Sequence, residues 1–494
     1  MESEHKIPNG DRNSLEKKKR RKKKKKQSPA QAAMKKEEET IPCSSSYEKR
    51  RRDIPDPLES FEQLSKIYCV QPQLLHNIEN EGYKEPTAIQ RQAIPIMMQE
   101  RDIMACAPTG SGKTAAFILP ILHHLKETSS CGVRAVILAP TRELAKQILM
   151  ESRKLSKGSG LRSCYIEKEA TAVKKSKKQF DILVTTPNRL VYMLQCEPPP
   201  ICVKNVEWLI VDESDKLFEA GKRGFRDQLG AIYTACSSPK LHRAMFSATF
   251  AQDVEEWCKL NLDNVVQVYI GAKNTATNTV DQRLVFTGDE DGKLVAFRNL
   301  IREGISPPVL VFVQSKERAR QLQMELMYDG IHIDVIHADR PQEQRDQVIR
   351  DFRLGRTWVL VCTELMGRGI DFKGVNLVVN YDFPTSAVSY IHRIGRTGRA
   401  GRQGKAVTFF TESDKVNLRS IANMIRQAGC PVPEYMIAIK KPARRERRRM
   451  ANHVPERKKI LTMVPTEYER MKRKRKYRLQ SKQNVAKKAK KESS

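Results

Sequence analysis

The chain has 494 residues, enough for two to four domains of about 100–200 residues each. Its hydrophobic fraction of 39% is low for a wholly globular chain, and its formal net charge is +32. No apolar run reaches the roughly 18 residues of a transmembrane helix, and the first residues lack the apolar core of a secretory signal. The 11 cysteines include no Cys-x-x-Cys pair, which predicts reduced thiols in the cytosol or nucleus.

Most of the positive charge lies at the two ends of the chain. Residues 1–56 carry a net charge of +8 and residues 433–494 carry +16, so the long middle part carries only +8. Lys17 through Lys26 are ten consecutive cations that repel one another and bury nothing. We predict a disordered basic tail at each end, the C-terminal one without an apolar face for docking. Such runs are typical of nuclear-localisation signals or nucleic-acid-binding arms, with a merely solubilising tail as the alternative.

Between the tails, short apolar strands alternate with amphipathic helices in two series. The predicted strands span 102–106, 133–138, 181–185, 208–211 and 244–247, then 309–313, 333–336, 358–362, 375–381 and 406–410. This alternation predicts an α/β fold with parallel sheets covered by helices on both faces. The small, polar residues 271–279 separate the series. We therefore predict a first lobe at 57–270, a linker at 271–279 and a second lobe at 280–432.

A glycine-rich turn follows the first predicted strand and precedes a predicted helix at 114–126. It fits the phosphate-binding loop pattern, with alanine where glycine is usual at the first position. Gly110 and Gly112 let the backbone aim several N–H groups at one phosphate, while Lys113 reaches the β/γ-phosphates and Thr114 ligates Mg²⁺. A chance Gly/Ser turn is the alternative, which the strand–turn–helix setting disfavours. The predicted loop comprises Ala107, Pro108, Thr109, Gly110, Ser111, Gly112, Lys113 and Thr114.

Two adjacent carboxylates follow the apolar strand that begins at Trp208. Carboxyl ends of parallel strands form the edge at which α/β sheets bind ligands. There Asp212 would hold Mg²⁺, and Glu213 would polarise the water that attacks the γ-phosphate. Alone this acidic turn is a weak signal, but together with the phosphate loop it predicts nucleotide hydrolysis.

A basic, glycine-rich motif, His392 to Arg399, lies in the second lobe. An exposed basic turn is the alternative interpretation. The second lobe has no phosphate loop of its own, so Arg396 and Arg399 could instead reach a γ-phosphate from across a cleft. An arginine placed there stabilises the transition-state charge and is worth about 10³–10⁵ in rate. Hydrolysis would then depend on closure of the lobes.

The three motifs, in this order and spacing, resemble the DEAD-box family of ATP-dependent RNA helicases over about residues 57–432. The resemblance implies two tandem RecA-like lobes, ATP and Mg²⁺ as cofactors, and hydrolysis coupled to local RNA unwinding or ribonucleoprotein remodelling. The stretch 82–90 resembles the adenine-reading Q motif, so Gln90 would bind adenine, with Phe61 and Tyr83 as the accompanying aromatics. Ser247 and Thr249 would couple hydrolysis to strand separation, alongside the catalytic His392.

The resemblance also implies a set of nucleic-acid contacts on both lobes. Asp371 would face the nucleotide. The residues facing RNA would be Pro140, Thr141, Arg142, Thr186, Pro187, Arg189, Arg345, Thr363 and Gly367. Asn188 and Gly367 depart from the family pattern, and the usual Gly-Gly pair is absent around Glu167 to Glu169.

The variant motif Asp212-Glu213-Ser214-Asp215 resembles a subgroup implicated in assembly of the small ribosomal subunit. That resemblance implies pre-rRNA and pre-ribosomal assembly proteins as partners, and the nucleus and nucleolus as location. Two alternatives remain at this point: a DNA-directed motor, and an RNA-stimulated clamp or scaffold outside ribosome assembly.

Overall fold

In the computed structural model, seven parallel strands form the first of two sheets. They are β1 (Ile103–Cys106), β2 (Ala135–Leu138), β3 (Ser163–Tyr165), β4 (Ile182–Thr185), β5 (Trp208–Asp212), β6 (His242–Ser247) and β7 (Val266–Tyr269). Their order across the sheet is β3-β4-β2-β5-β6-β1-β7. This order puts β6 between β1 and β5, so the strands that precede the phosphate loop and the paired carboxylates lie two positions apart.

Nine helices belong to the described part of the first lobe. They are α1 (Gln63–Tyr68), α2 (Pro72–Asn80), α3 (Ala88–Met98), α4 (Lys113–Leu125), α5 (Arg142–Leu155), α6 (Pro187–Leu194), α7 (Ser214–Leu217), α8 (Arg226–Ala235) and α9 (Gln252–Asn261). Alternate strand residues face opposite sides of the sheet, so Ile103 and Ala105 join one hydrophobic core while Met104 and Cys106 join another. Helices therefore cover both faces.

The second sheet has six parallel strands, in the order β10-β11-β9-β12-β13-β8. They are β8 (Val280–Phe286), β9 (Val309–Val313), β10 (Ile333–Ile336), β11 (Val359–Thr363), β12 (Leu377–Asn380) and β13 (Gly404–Phe410). Its helices are α10 (Glu290–Arg302), α11 (Lys316–Met327), α12 (Gln342–Arg353), α13 (Ala387–Ile394), α14 (Lys415–Gln427) and α15 (Glu434–Ala438). The predicted fold class, two parallel-sheet α/β lobes flanked by helices, is confirmed.

The structure describes residues 54–130, 132–166, 180–217, 225–250, 252–271, 279–327, 329–364, 372, 374–399, 402–440, 443 and 457–460. Residues 54–494 group as one compact unit. The predicted N-terminal tail up to residue 53 and linker residues 272–278 lie outside the described ranges. No helix in the described ranges combines the length and apolar character needed to cross a membrane.

The C-terminal region differs from its prediction. We expected no apolar face for docking there, but Met436 of α15 is only 3% exposed and Ile460 only 7%. The side chain of Arg457 is 4% exposed and forms ion pairs with Glu290 and Asp414. The prediction is therefore wrong for 434–438 and 457–460. These segments pack on the second lobe through single apolar side chains and one buried arginine, which form no amphipathic pattern in the sequence.

Candidate functional site

The phosphate loop follows β1 and leads into α4, as the sequence predicts. Gly110 and Gly112 have φ of +80° and +88°, a left-handed conformation that glycine adopts without strain. Lys113 is buried at the start of α4, and its Nζ donates hydrogen bonds to the carbonyls of Ala107 (2.7 Å) and Pro108 (3.1 Å). The loop thus holds its lysine close to its own backbone.

The paired carboxylates lie where β5 ends. Burial is the main factor that raises the pKa of Asp212, to about 7; Glu213 also raises it, whereas Lys113 lowers it. A cation placed against this carboxyl would favour its charged form. Glu213 has φ of +51°, a conformation that costs a non-glycine residue about 1–3 kcal/mol and that often occurs at functional sites.

A third carboxylate of the same motif, Asp215 on α7, joins the two lobes. Its oxygens accept hydrogen bonds from the hydroxyls of Ser247 (2.6 Å) and Thr249 (3.2 Å) at the end of β6. They also lie 2.6 Å from Nε2 of His392, on α13 of the second lobe. Sequence reasoning did not assign Asp215 a role, although its place in the acidic motif was a usable signal. The structure brings the predicted Ser247, Thr249 and His392 together around it.

The basic motif lies directly across from the phosphate loop. Nδ1 of His392 is 3.4 Å from Glu213 Oε2, so its ring lies between two carboxylates. Nε of Arg396 donates to the carbonyl of His392 (3.0 Å), and Nε of Arg399 donates to that of Gly395 (2.9 Å). The loop contacts this turn directly, because Thr109 Oγ1 donates to the Gly395 carbonyl at 2.8 Å.

These groups enclose a cavity of about 460 Å³ between the lobes. A Cβ added to Gly110 would lie 2.9 Å from Cγ of Arg399, so the arginine stem packs closely on the loop. On its second-lobe side the cavity is lined mainly by cationic side chains, as a polyphosphate site requires. Arg402, which sequence analysis did not assign, is among its lining residues. The lining includes Tyr83, Thr109, Gly110, Gly112, Lys113, Thr114, Asp212, Glu213, Arg396, Arg399 and Arg402.

Of the predicted adenine-site residues, Gln90 lies in the first turn of α3, Tyr83 lines the cavity and Phe61 precedes α1. Gln90 is fully buried; its Oε1 accepts from the backbone N–H of Thr87 (2.9 Å) and its Nε2 donates to the Gly112 carbonyl (3.1 Å). The hydroxyl of Tyr83 donates to Glu151, and its ring meets that of Phe61 edge-on, 6.3 Å between centroids. Gln90 therefore ties α3 to the phosphate loop, and its contact with adenine stays a prediction.

The predicted RNA-facing residues of the first lobe follow β2 and β4, which are adjacent. Thr141 caps α5 by accepting from the Leu144 N–H at 3.3 Å, and Arg142 is exposed. Thr186 precedes α6, and the Arg189 guanidinium lies 5.4 Å from the Tyr192 ring centre. Pro140 and Pro187, buried at the same two turns, complete this group.

In the second lobe, Arg345 lies against the first lobe. Its Nη1 is 3.1 Å from Glu143 Oε1, and beside it Lys146 pairs with Asp346 at 3.0 Å. Thr363 is the last residue of β11. Gly367 and Asp371 lie outside the described residues. Two charge pairs thus accompany the Asp215–His392 contact at the junction of the lobes.

Two family models match the chain. The model of the DEAD/DEAH box helicase matches residues 87–257, and that of the helicase conserved C-terminal domain matches residues 292–401. The first model spans the phosphate loop and the acidic motif, and the second spans the basic motif. The chain belongs to the DEAD/DEAH box helicase family. It is an ATP-dependent RNA helicase of the DEAD-box type, which confirms the predicted family and enzyme class.

Curated relatives of this helicase carry the same activity in their names. The chain is 59% identical over 414 residues to the "Probable ATP-dependent RNA helicase DDX52" of Rattus norvegicus, covering 83% of this chain and 69% of the relative. It is 42% identical over 426 residues to "ATP-dependent RNA helicase ROK1" of Saccharomyces cerevisiae, covering 84% of this chain and 75% of the relative.

Solved structures of similar helicases contain both RNA and a nucleotide. S. cerevisiae Dbp5 bound to RNA and ADP BeF3 matches with a TM-score of 0.67 and 28% identity, covering 77% of this chain and 99% of that one. Mss116p bound to ssRNA and AMP-PNP matches with a TM-score of 0.68 and 26% identity, covering 78% and 83%. ATP and RNA are therefore the ligands of this helicase.

Proposed function

We propose that this helicase opens short RNA duplexes or remodels RNA–protein complexes locally, with Mg²⁺-bound ATP, on pre-rRNA during assembly of the small ribosomal subunit. The observation that carries the local mechanism is the hydrogen bond between Asp215 and His392, which joins the lobes at the cavity edge. Long processive travel would require repeated translocation, whereas closure around one ATP opens one short stretch and is undone by hydrolysis.

Closure would couple the two ligands. If ATP and RNA each bind better to the closed arrangement, each raises the affinity for the other by the same factor. The RNA contacts proposed for Thr141, Arg142 and Arg189 would go mostly to phosphates and 2′-hydroxyls, which carry little sequence information. A single strand can bend between closed lobes, whereas a long A-form duplex cannot follow that path.

The oxygen atoms available in the cavity fit a magnesium ion. Thr114 and Asp212 both line the cavity, and hydroxyl and carboxylate oxygens are ligands that Mg²⁺ accepts alongside phosphate oxygens. When bound, the ion would neutralise charge on the β- and γ-phosphates. Glu213 would orient and polarise the attacking water, and Lys113, Arg396 and Arg399 would stabilise the negative charge that develops on the γ-phosphoryl group.

The proposed biological substrate rests on the Asp-Glu-Ser-Asp motif and on the charge of the tails. The motif resembles the subgroup implicated in small-subunit assembly, and the cationic runs at 17–26 and 472–476 suit nuclear import and RNA contact. We therefore propose the nucleus and nucleolus as its location and pre-ribosomal assembly proteins as its partners.

Crosslinking the protein to cellular RNA and sequencing the fragments tests this assignment. Enrichment of small-subunit pre-rRNA is the expected result; enrichment of other RNA would instead favour an RNA-stimulated clamp or scaffold outside ribosome assembly. In vitro, the helicase should separate duplexes of about one helical turn and fail on duplexes of hundreds of base pairs. Unwinding hundreds of base pairs without rebinding would contradict the local mechanism.

A further inference from the structure

A cluster of buried charges lies at the carboxyl edge of the second sheet, away from the phosphate loop. Asp382 follows β12 and is fully buried; Arg318 of α11 donates to both of its oxygens, at 2.7 and 2.6 Å. Lys293 of α10 has no exposed side-chain surface, and its Nζ lies 2.7 Å from Glu290 and 3.5 Å from Asp382. Such a cluster is stable only when its charges are matched, because an unpaired buried charge is costly.

Arg457, from the C-terminal segment 457–460, supplies the last cation of this cluster. Its Nη1 lies 2.7 Å from Glu290 and its Nη2 lies 2.8 Å from Asp414. Its Nε donates to the side chain of Gln314 at 2.7 Å and is 3.8 Å from Asp382. Ile460 is buried three residues later, and its N–H donates to Gln321 Oε1 at 3.0 Å.

The charges in this cluster balance only when Arg457 is present. Three carboxylates (Glu290, Asp382 and Asp414) meet three cations (Lys293, Arg318 and Arg457). Burial opposes the charged form of Asp382, but Arg318, Lys293 and Arg457 lower the pKa of Asp382 to about 2, so it is ionised. Without Arg457, one negative charge would stay buried and unmatched.

Asp382 connects this cluster to the basic motif. Its backbone carbonyl accepts a 2.7 Å hydrogen bond from Nη1 of Arg393, whose side chain is 3% exposed. Arg393 is the neighbour of His392, which reaches across the lobes to Asp215. A shift of Asp382 would therefore displace the helix that carries His392, and with it the turn that carries Arg396.

We propose that Arg457 is a positioning residue for RNA-stimulated ATP hydrolysis. By completing the charge cluster it fixes Asp382, and through the Asp382 carbonyl it fixes Arg393 beside His392. The C-terminal segment 457–460 then contributes to the alignment of the second lobe's catalytic residues. Arg457 is not among the residues that line the cavity, so its effect falls on alignment of the closed site.

The test compares steady-state ATPase kinetics of full-length variants with poly(U) as the RNA. Arg457→Ala should lower kcat roughly tenfold and leave the KM for ATP unchanged, because the phosphate loop belongs to the other lobe. Lys459→Ala, at an exposed position in the same segment, removes an equal charge and should keep the wild-type kcat. Equal kcat values for the two variants would overturn the proposal.

Two further measurements separate positioning from loss of structure. Low-millimolar guanidinium chloride should raise the kcat of Arg457→Ala, because the ion can occupy the position of the missing Arg457 guanidinium. It should leave the kcat of Lys459→Ala unchanged. Arg457→Met combined with Asp414→Asn removes one charge of each sign, and an asparagine oxygen can still accept from the Thr411 N–H, now bonded to Asp414 at 3.0 Å. This double variant should recover most of the lost kcat. If neither guanidinium nor the second substitution restores turnover, the inference is wrong.

Discussion

The carboxylate of Asp215 and the imidazole of His392 meet at 2.6 Å, although 177 positions separate the two residues in the chain. The same carboxylate accepts hydrogen bonds from the hydroxyls of Ser247 and Thr249. One side chain therefore contacts both the end of β6 and the second lobe. The contact therefore links closure of the lobes to the strand that lies between the phosphate loop and the paired carboxylates.

We expect Asp215→Asn and His392→Ala each to lower RNA-stimulated kcat by roughly tenfold or more, because each removes the same charge-assisted contact. The double variant should be little worse than the worse single variant. Steady-state ATPase assays on all four proteins measure this coupling. His332→Ala, which alters a histidine stacked on Trp358 in the second lobe, is the control. Fully additive effects of the two substitutions would show that the contact does not matter for turnover.

Glu213→Gln should abolish ATP turnover while ATP and RNA binding persist, because an amide cannot polarise the attacking water as a carboxylate does. Single-turnover hydrolysis and equilibrium binding of a fluorescent nucleotide separate the two effects. Glu127→Gln, at an exposed position of the same lobe, should behave like the wild type. Retained turnover would remove Glu213 from its proposed role.

Arg399→Ala should reduce ATP hydrolysis by about 10³-fold or more at saturating RNA, as expected for an arginine that stabilises transition-state charge from across a cleft. The measurement is phosphate release with excess poly(U). Arg426→Ala removes an exposed arginine from α14 of the same lobe and is the matched control. Undiminished phosphate release would overturn the shared-site mechanism.

Deleting residues 461–494 should weaken RNA binding and flatten its salt dependence, because each lost phosphate contact reduces the slope of log K against log salt by about 0.7 for a single strand. Deleting all of 433–494 is less informative, since it also removes the docked Met436 and Arg457. Fluorescence anisotropy with labelled RNA at several salt concentrations provides the slope. An unchanged slope in the shorter deletion would reject a role for this tail in RNA binding.

Asp382 should make part of the stability dependent on acid pH. Its pKa is lowered to about 2, so its stabilising contribution is present above the unfolded value near 4 and is lost as the pH falls towards 2. The contribution is about 2–3 kcal/mol at neutral pH, and roughly half of it is lost by pH 3. Urea unfolding between pH 6 and pH 3 should show a shallower decline for Asp382→Asn than for the wild type. Parallel declines would mean that Asp382 is not held ionised by its partners.

The sequence predicted the parts of the fold and site that depend on local patterns. The central strands were predictable because residues such as Val309–Val313 are buried on both faces and form uninterrupted apolar runs. β8 was missed because Val280–Phe286 packs at the sheet edge with exposed positions, so its polar residues interrupt the apolar pattern. The short strands β3 and β7 lack a clear apolar run for the same reason.

The functional residues divide in a similar way. The phosphate loop and the paired carboxylates are contiguous motifs, so their chemistry can be predicted from the residue types alone. The docking of Arg457 was not predictable, because its partners Glu290, Asp382 and Asp414 follow or flank three different strands and meet only in the folded lobe. The pairing of Arg345 with Glu143 likewise depends on the arrangement of the two lobes.

The position of β6 between β1 and β5 sets the spacing of the two strand ends that border the cavity. Strands in a sheet lie about 4.8 Å apart, so the ends of β1 and β5 are separated by roughly two strand spacings, or about 10 Å. A stiff, hydrogen-bonded sheet holds that separation nearly constant. Backbone hydrogen bonds therefore fix the first-lobe half of the site on their own, whatever position the second lobe takes.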